Sequence, residues 1–265
     1  MNNSGIIKQL VEVWQRKELL VEYFKVMLKL QHVGSVLGFL WTLVNPLLYI
    51  ATYWIVFTFF IKMGIEKYPI FLIPGFLAWN FTLSAVVNSS NAIIHSTYLI
   101  TKIYFPNEIL TFATVGISLF DYIISLIIYF VIVAIIPGAF TFSYPVLIFP
   151  LILIAQIFIT AGLSLLVSCI AVYFRDVPKL VQVAGTIFFF LTPIFYPLSF
   201  IPGKFKFLVL FNPIAQIIIY YHDIFYYGRM PNIYYILGTF IISLLVFYIG
   251  LVVFGKHKSA FAELS

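Results

Sequence analysis

The chain is 265 residues long with a formal net charge of +6; 63% of its residues are hydrophobic, 20% aromatic and 9% charged. Soluble domains carry about 25% charged residues, so this composition excludes a soluble protein and implies an integral membrane one. A single cysteine, Cys169, excludes an internal disulfide and a cysteine-based metal site, and the basic excess reads as orientation signal and lipid contact, not nucleic-acid binding.

Residues 1–30 read as one amphipathic helix. Ile7, Leu10, Trp14, Val21, Phe24 and Leu28 recur at helical spacing, with Lys8, Glu12, Glu22, Lys25 and Lys29 on another face. Such a helix lies along a membrane surface, with Trp14 near headgroup level and Arg16, Lys17 and Lys25 as interfacial charges; the alternative is a solvated helix packed on a partner. Its scattered charges do not fit a cleavable signal peptide.

A span needs about 20 apolar residues. Runs free of Asp, Glu, Lys and Arg predict spans at 33–61, 68–94, 145–173, 180–200 and 233–254, and another at 109–136 interrupted only by Asp121. Between the last two, residues 192–221 hold Pro193, Pro197, Pro202 and Pro213, with Lys204 and Lys206 in the middle. Residues 207–221 are too few for a span and contain Pro213, so this stretch is expected to dip into the membrane and return. Six spans put both termini on one side. With the N-terminus inside, ten of the 15 Lys and Arg fall on the cytoplasmic side and five outside, as the positive-inside rule requires. The expected fold is all-α, a single transmembrane domain over 1–265: the interface helix 1–30, a bundle over 33–254 and a cytoplasmic tail over 255–265.

Chemistry-bearing clusters are absent. "GLVVFGK" at 250–256 fits G-x-x-x-x-G-K, but it sits in the last apolar run, and His257 stands where a phosphate-binding loop needs Ser or Thr. His32, His95, His222 and His257 lie far apart, and "HD" at 222–223 reads as a solvated outer loop. No cofactor or metal is expected. Asp121 is the one acid inside a span, so it is either a proton site or a buried structural acid. The sequons at Asn80 and Asn88 lie in or near a span, which argues against glycosylation.

Five stretches, in order from end to end, resemble one family. These are "GSVLGFLWTLVNPLL" at 34–48, "FPNEIL" at 105–110, "YFRDVPKLVQ" at 173–182, the proline-rich segment 192–231 and "FAEL" at 261–264. Together they are similar to the membrane subunits of ABC exporters for cell-surface polysaccharides. The resemblance implies a homodimer of six-span subunits in the cytoplasmic membrane, bound to two copies of a separate ATPase. It implies export of undecaprenyl-linked glycan, with O-antigen ahead of capsular polysaccharide or teichoic acid. This chain would then not be an enzyme.

Within that resemblance, Trp41, Tyr49, Tyr53 and Trp54, with Phe195 and Tyr196, are candidates to line a glycan conduit. Trp41, Tyr49 and Tyr53 are eight and four residues apart, roughly on one helical face. Pro193, Pro197, Phe200, Pro202, Phe205 and Pro213 suit an outer gate. Tyr98, Lys102, Ile103, Phe105 and Glu108 are candidates to contact the ATPase, with Arg175 and Asp176 as a second contact. The rivals are an ion-coupled carrier built on Asp121 and a membrane glycosyl- or acyltransferase, which the missing acid and His cluster argues against.

Overall fold

The computed structural model describes residues 3–31, 33–96, 105–135 and 144–258, all helical or irregular with no strand among them. Ten helices follow in chain order: α1 Asn3–Gln15, α2 Lys17–Leu30, α3 Trp41–Ile55, α4 Tyr68–His95, α5 Glu108–Ile135, α6 Phe149–Tyr173, α7 Val177–Leu191, α8 Lys206–Leu210, α9 Pro213–Phe225 and α10 Ile233–His257. A π-turn at Val56–Phe60 extends α3, and a 3-10 turn at Tyr144–Ile148 leads into α6.

Among the described residues five helical stretches are long and apolar enough to cross a membrane: α3 with its π-turn, α4, α5, α6 with its leading turn, and α10. A sixth arises if the bent pair Gly203–Leu210 and Pro213–Phe225, broken at 101°, is one span. The span expected at 180–200 forms differently: α7 stops at Leu191 because Pro193 has no N–H to continue the ladder. The N-terminal helix is not continuous either, for Arg16 (φ −102°, ψ 26°) breaks it into α1 and α2. Nor does α2 lie free. Phe24 meets Phe120 of α5 edge-on at 6.3 Å, and the Tyr23 and Ser96 hydroxyls lie 3.3 Å apart.

Helix α4 is the centre of the bundle, with 78% of its most apolar stretch buried against 11% for α3. A polar chain threads that centre. Gln156 of α6 donates to the Ala78 carbonyl at 2.8 Å and to the Thr82 hydroxyl at 3.2 Å, and its own carbonyl accepts from the Tyr221 hydroxyl at 2.6 Å. These three bonds pair both ends of the Gln156 amide with groups on other helices, which ties together the register of α4, α6 and α9.

Helices α6 and α10 make the most extensive pairing, and glycine permits it. A Cβ on Gly250 would stand 2.7 Å from the Gly162 oxygen, and one on Gly162 would stand 2.6 Å from the Phe247 nitrogen. The two backbones touch, as small residues allow between membrane helices. Gly255 lies under Gln9 of α1, whose side chain fills the space a Cβ would need. Both glycines of the G-x-x-x-x-G-K string thus have packing roles.

Gly162→Ala and Gly250→Ala are each expected to lower stability by about 1–3 kcal/mol, because backbone cannot move aside. Gly238, on α10 with nothing within 4 Å of an added Cβ, is the control. Gly238→Ala should raise stability by about 0.5–1 kcal/mol. Thermal unfolding of the three purified variants, followed by intrinsic fluorescence, checks both signs.

Candidate functional site

The two ends of the bundle can be told apart by contacts. At one end Lys258, closing α10, lies 3.3 Å from Glu108 and 4.0 Å from Glu12 of α1. The Thr111 and Ser168 hydroxyls, 3.4 Å apart, place the start of α5 and the end of α6 there too. At the other end the Tyr68 hydroxyl donates to the Phe195 carbonyl at 2.9 Å, and the Tyr226 hydroxyl donates to the Glu66 carbonyl at 2.9 Å. The chain therefore leaves the Lys258 end after α6 and reaches the Tyr68 end by Phe195. The bent pair follows, and Tyr226 brings the chain back to that same end.

Prolines shape this turn, and side chains repair what they break. Pro193 cannot donate to the Phe189 carbonyl, and Ile194 donates instead to Thr192 at 2.7 Å. The Phe190 carbonyl, left without its helical donor, accepts from the Tyr196 hydroxyl at 2.9 Å. Asn212 caps α9, its side-chain oxygen accepting from the Ile214 and Ala215 amides at 3.0 and 3.4 Å, with Pro213 at the first helical position. Gln216 reaches back to the Leu210 carbonyl at 3.3 Å.

The two arms of the hairpin differ in packing. Residues 215, 217, 218 and 220–224 of α9 are buried, whereas Phe200, Phe205, Phe207, Leu208 and Phe211 are each about half exposed or more. A 620 Å³ cavity walled by Trp79, Leu163, Gly185 and Phe188 lies on one side of the exposed arm, and one of 520 Å³ walled by Met63, Leu191 and Tyr196 on the other. Pro193 is buried, Pro197 and Pro213 half-buried and Pro202 exposed. His222 and Asp223, expected in a solvated loop, are instead buried in the last turns of α9. His222 stacks on Phe71 at 4.0 Å, and Asp223 pairs with Arg229 at 2.7 Å. An acid beside an imidazole looked polar in sequence, and the partner that permits burial stands six residues on.

The aromatic candidates fall into two sets. Tyr53 and Phe195 join a packed cluster: Phe195 stacks on Phe57 at 5.0 Å, and Tyr53 meets Phe76 and Phe189 at 5.6 and 5.8 Å. Tyr196 is half-buried, its hydroxyl committed to Phe190. Trp41, Tyr49 and Trp54 are 41%, 57% and 41% exposed. Trp41 and Tyr49 share one wall of a 470 Å³ polar cleft between α3, α4 and α5 that also holds Asn45, Asn80 and Asp121. Asp121 accepts from Gln31, just after α2, at 3.3 Å.

At the Lys258 end, Arg175 and Asp176 are exposed, while Phe105 is half-buried against a core of Leu110, Cys169 and Phe254. Glu108 is 1% exposed and faces Lys258, so it anchors the chain's own helices. Tyr98, Lys102 and Ile103, and the tail from residue 259, lie outside the described residues. On α1 and α2, Trp14 is 72% exposed with Lys17 over its ring at 5.4 Å, Arg16 is exposed at the break, and Lys25 pairs with Glu22 at 2.8 Å. No group of three or more metal-ligating side chains occurs among the described residues.

A bundle of membrane-length helices with a bent, loosely packed helix pair and a polar cleft has the build of a transport protein. Residues 24–226 match the family model of the ABC-2 type transporters, and the chain belongs to that family. It is 30% identical over 249 residues to an O-antigen export system permease protein RfbA of Klebsiella pneumoniae, covering 93% of this chain and 95% of that one. It is also 30% identical over 263 residues to the protein of the same name from Myxococcus xanthus, covering 97% and 99%.

Tyr221→Phe is expected to cost about 1–3 kcal/mol by leaving the buried Gln156 oxygen unpaired. Tyr226→Phe, at the exposed end of the hairpin, should cost less. Chemical unfolding of both variants in one detergent orders them, and equal losses would show that the polar chain does not hold α9.

Proposed function

We propose that this chain is the membrane subunit of an ATP-driven exporter of lipid-linked polysaccharide, with O-antigen ahead of capsular polysaccharide or teichoic acid. The observation that carries this is similarity along nearly the whole chain to O-antigen export permeases. ATP is hydrolysed by a separate subunit, since the one nucleotide-like string here is helix packing. The chain works in the cytoplasmic membrane with both termini inside: α1 and the end of α10 meet at Lys258, and the basic excess of the sequence belongs on that side.

Segment 177–195 then makes the sixth crossing, and 203–225 is a re-entrant hairpin on the outer side. Two subunits pair so that the exposed faces of α3 and α7 meet across a path. Trp41, Tyr49 and Trp54 offer ring faces on which sugar C–H faces stack weakly and replaceably, with Tyr53, Phe195 and Tyr196 holding that wall in place. The loosely packed arm carrying Phe200, Pro202 and Phe205 opens the outer end, while Pro193, Pro197 and Pro213 set its hinges. Residues 98–105, with Arg175 and Asp176, receive the ATPase, and α1 lies on the inner headgroups through Trp14, Arg16 and Lys17.

The test is affinity purification of the tagged chain from its native membrane, with ATP hydrolysis assayed in the eluate. A stoichiometric ATPase partner carrying all the hydrolysis is expected, and Tyr98→Ala with Phe105→Ala should reduce its recovery several-fold. A chain that transports alone, and loses transport in Asp121→Asn under a proton gradient, would make it an ion-coupled carrier.

A further inference from the structure

The exposed arm of the bent pair has hydrocarbon space on both sides. Leu191, Leu208 and Val209 line both the 620 Å³ cavity and the 520 Å³ one, so the arm is a thin partition between them. Each cavity has the volume of a small-molecule site, but their polar side chains are largely engaged elsewhere. In the larger one Thr82 is bonded to Gln156, and Asn212 caps α9. In the smaller one the Tyr196 hydroxyl holds the Phe190 carbonyl. Alone among the buried side-chain groups of these walls, the Trp79 indole N–H has no partner among the described residues. Such walls suit hydrocarbon.

Positive charge stands beside them. Lys204 and Lys206 flank Phe205, Lys62 precedes Met63, and both Phe205 and Met63 wall the smaller cavity. The Lys204 ammonium lies 5.0 Å over the Phe205 ring, which sets it against that wall. None of these three lysines has an ion pair among the described residues. Residues 61–67 and 201–231 carry Lys62, Lys67, Lys204, Lys206 and Arg229 against Glu66 and Asp223 alone, and Asp223 is taken by Arg229. Apolar cavities beside an excess of cations fit an amphiphile with an anionic head. Two cavities parted by one arm can each take a chain of the same molecule, whereas a single long chain would need one unbroken groove.

We infer that this arm is the seat of an anionic diacyl phospholipid of the outer leaflet. Its two acyl chains lie on either side of Leu208 and Val209, and its phosphate meets Lys204, Lys206 and Lys62. The lipid belongs to the bilayer and is not cargo; it supplies the packing that the rest of the chain withholds from the arm. The inference goes beyond the export reading and takes from it only the choice of leaflet.

The test is native mass spectrometry of the full chain in mild detergent. The probes are dipalmitoyl phosphatidylglycerol and dipalmitoyl phosphatidylcholine, which share their chains and differ in head charge. The phosphatidylglycerol is expected to bind about tenfold more tightly. Lys204→Gln with Lys206→Gln should remove roughly that advantage. Lys179→Gln with Lys256→Gln takes the same charge from exposed positions at the other end and should leave it intact. Leu208→Trp, at an exposed position that lines both cavities, should weaken both lipids several-fold by filling the chain space. Equal binding of the two lipids, equal losses in the two lysine pairs, or tighter binding of undecaprenyl phosphate than of phosphatidylglycerol would each overturn the inference. An ATPase partner recovered without any lipid preference leaves the export reading standing and removes this site. A preference lost with the arm lysines, in a chain that transports alone, keeps the site and removes that reading.

Discussion

Hydrocarbon cannot accept or donate a hydrogen bond, so every backbone group at membrane depth must be satisfied from within the protein. Continuous helices meet this demand without help. Prolines cannot, and this chain places them where the path must bend. The Tyr196 hydroxyl then takes the Phe190 carbonyl, the Tyr68 hydroxyl takes the Phe195 carbonyl, and Asn212 takes two amides of α9. Each repair comes from a side chain with both an apolar body and a polar tip, or from a short amide at a helix cap. Tyrosine is abundant here partly because it packs like a phenylalanine and still closes such a gap.

The same constraint bears on why the two arms of the bent pair pack so differently. Helix α9 carries Tyr221, whose hydroxyl completes the Gln156 chain, and Asp223, held by Arg229. Moving α9 would strand those groups in an apolar medium, at a cost of about 1–3 kcal/mol for each one left unpaired. Residues 203–211 bond mainly within the arm and its corner, and cavities flank them. In the export reading, an opening motion confined to that arm would break few interactions. In the export reading, the hinge at Pro213 coincides with the 101° bend.

Much of this was legible in sequence because the signals were local. Charge-free runs located five of the six expected spans, and clustered prolines located the break in the segment that follows the shorter helix α7. The helix break at Arg16 carried no Gly or Pro to announce it; it arises because α2 turns to lay Phe24 on α5, a tertiary preference that spacing does not record. The burial of His222 and Asp223 was hidden for the same reason, since it depends on Phe71 and Arg229 arriving from either side. The shared face of Trp41 and Tyr49 was readable from their spacing of eight residues, but its opposite wall comes from α4 and α5.

Gly250 and Gly255 show how a motif is decided by its surroundings. In a phosphate loop glycines let backbone amides approach an anion; here the same lack of a Cβ lets helices approach each other. Gly250 brings α10 onto α6 and Gly255 admits Gln9 of α1. That close docking carries Lys258 to Glu108 and Glu12, so the N-terminal helix, the base of α5 and the end of α10 form one charged joint. Glu108 stands three residues after Phe105, the last of residues 98–105. In the export reading, a push delivered there meets this joint first and moves α1 and α10 together with α5. The glycines that imitate a nucleotide site thus bring together the helices of this joint, which in the export reading is where a partner's nucleotide-driven motion would enter the bundle.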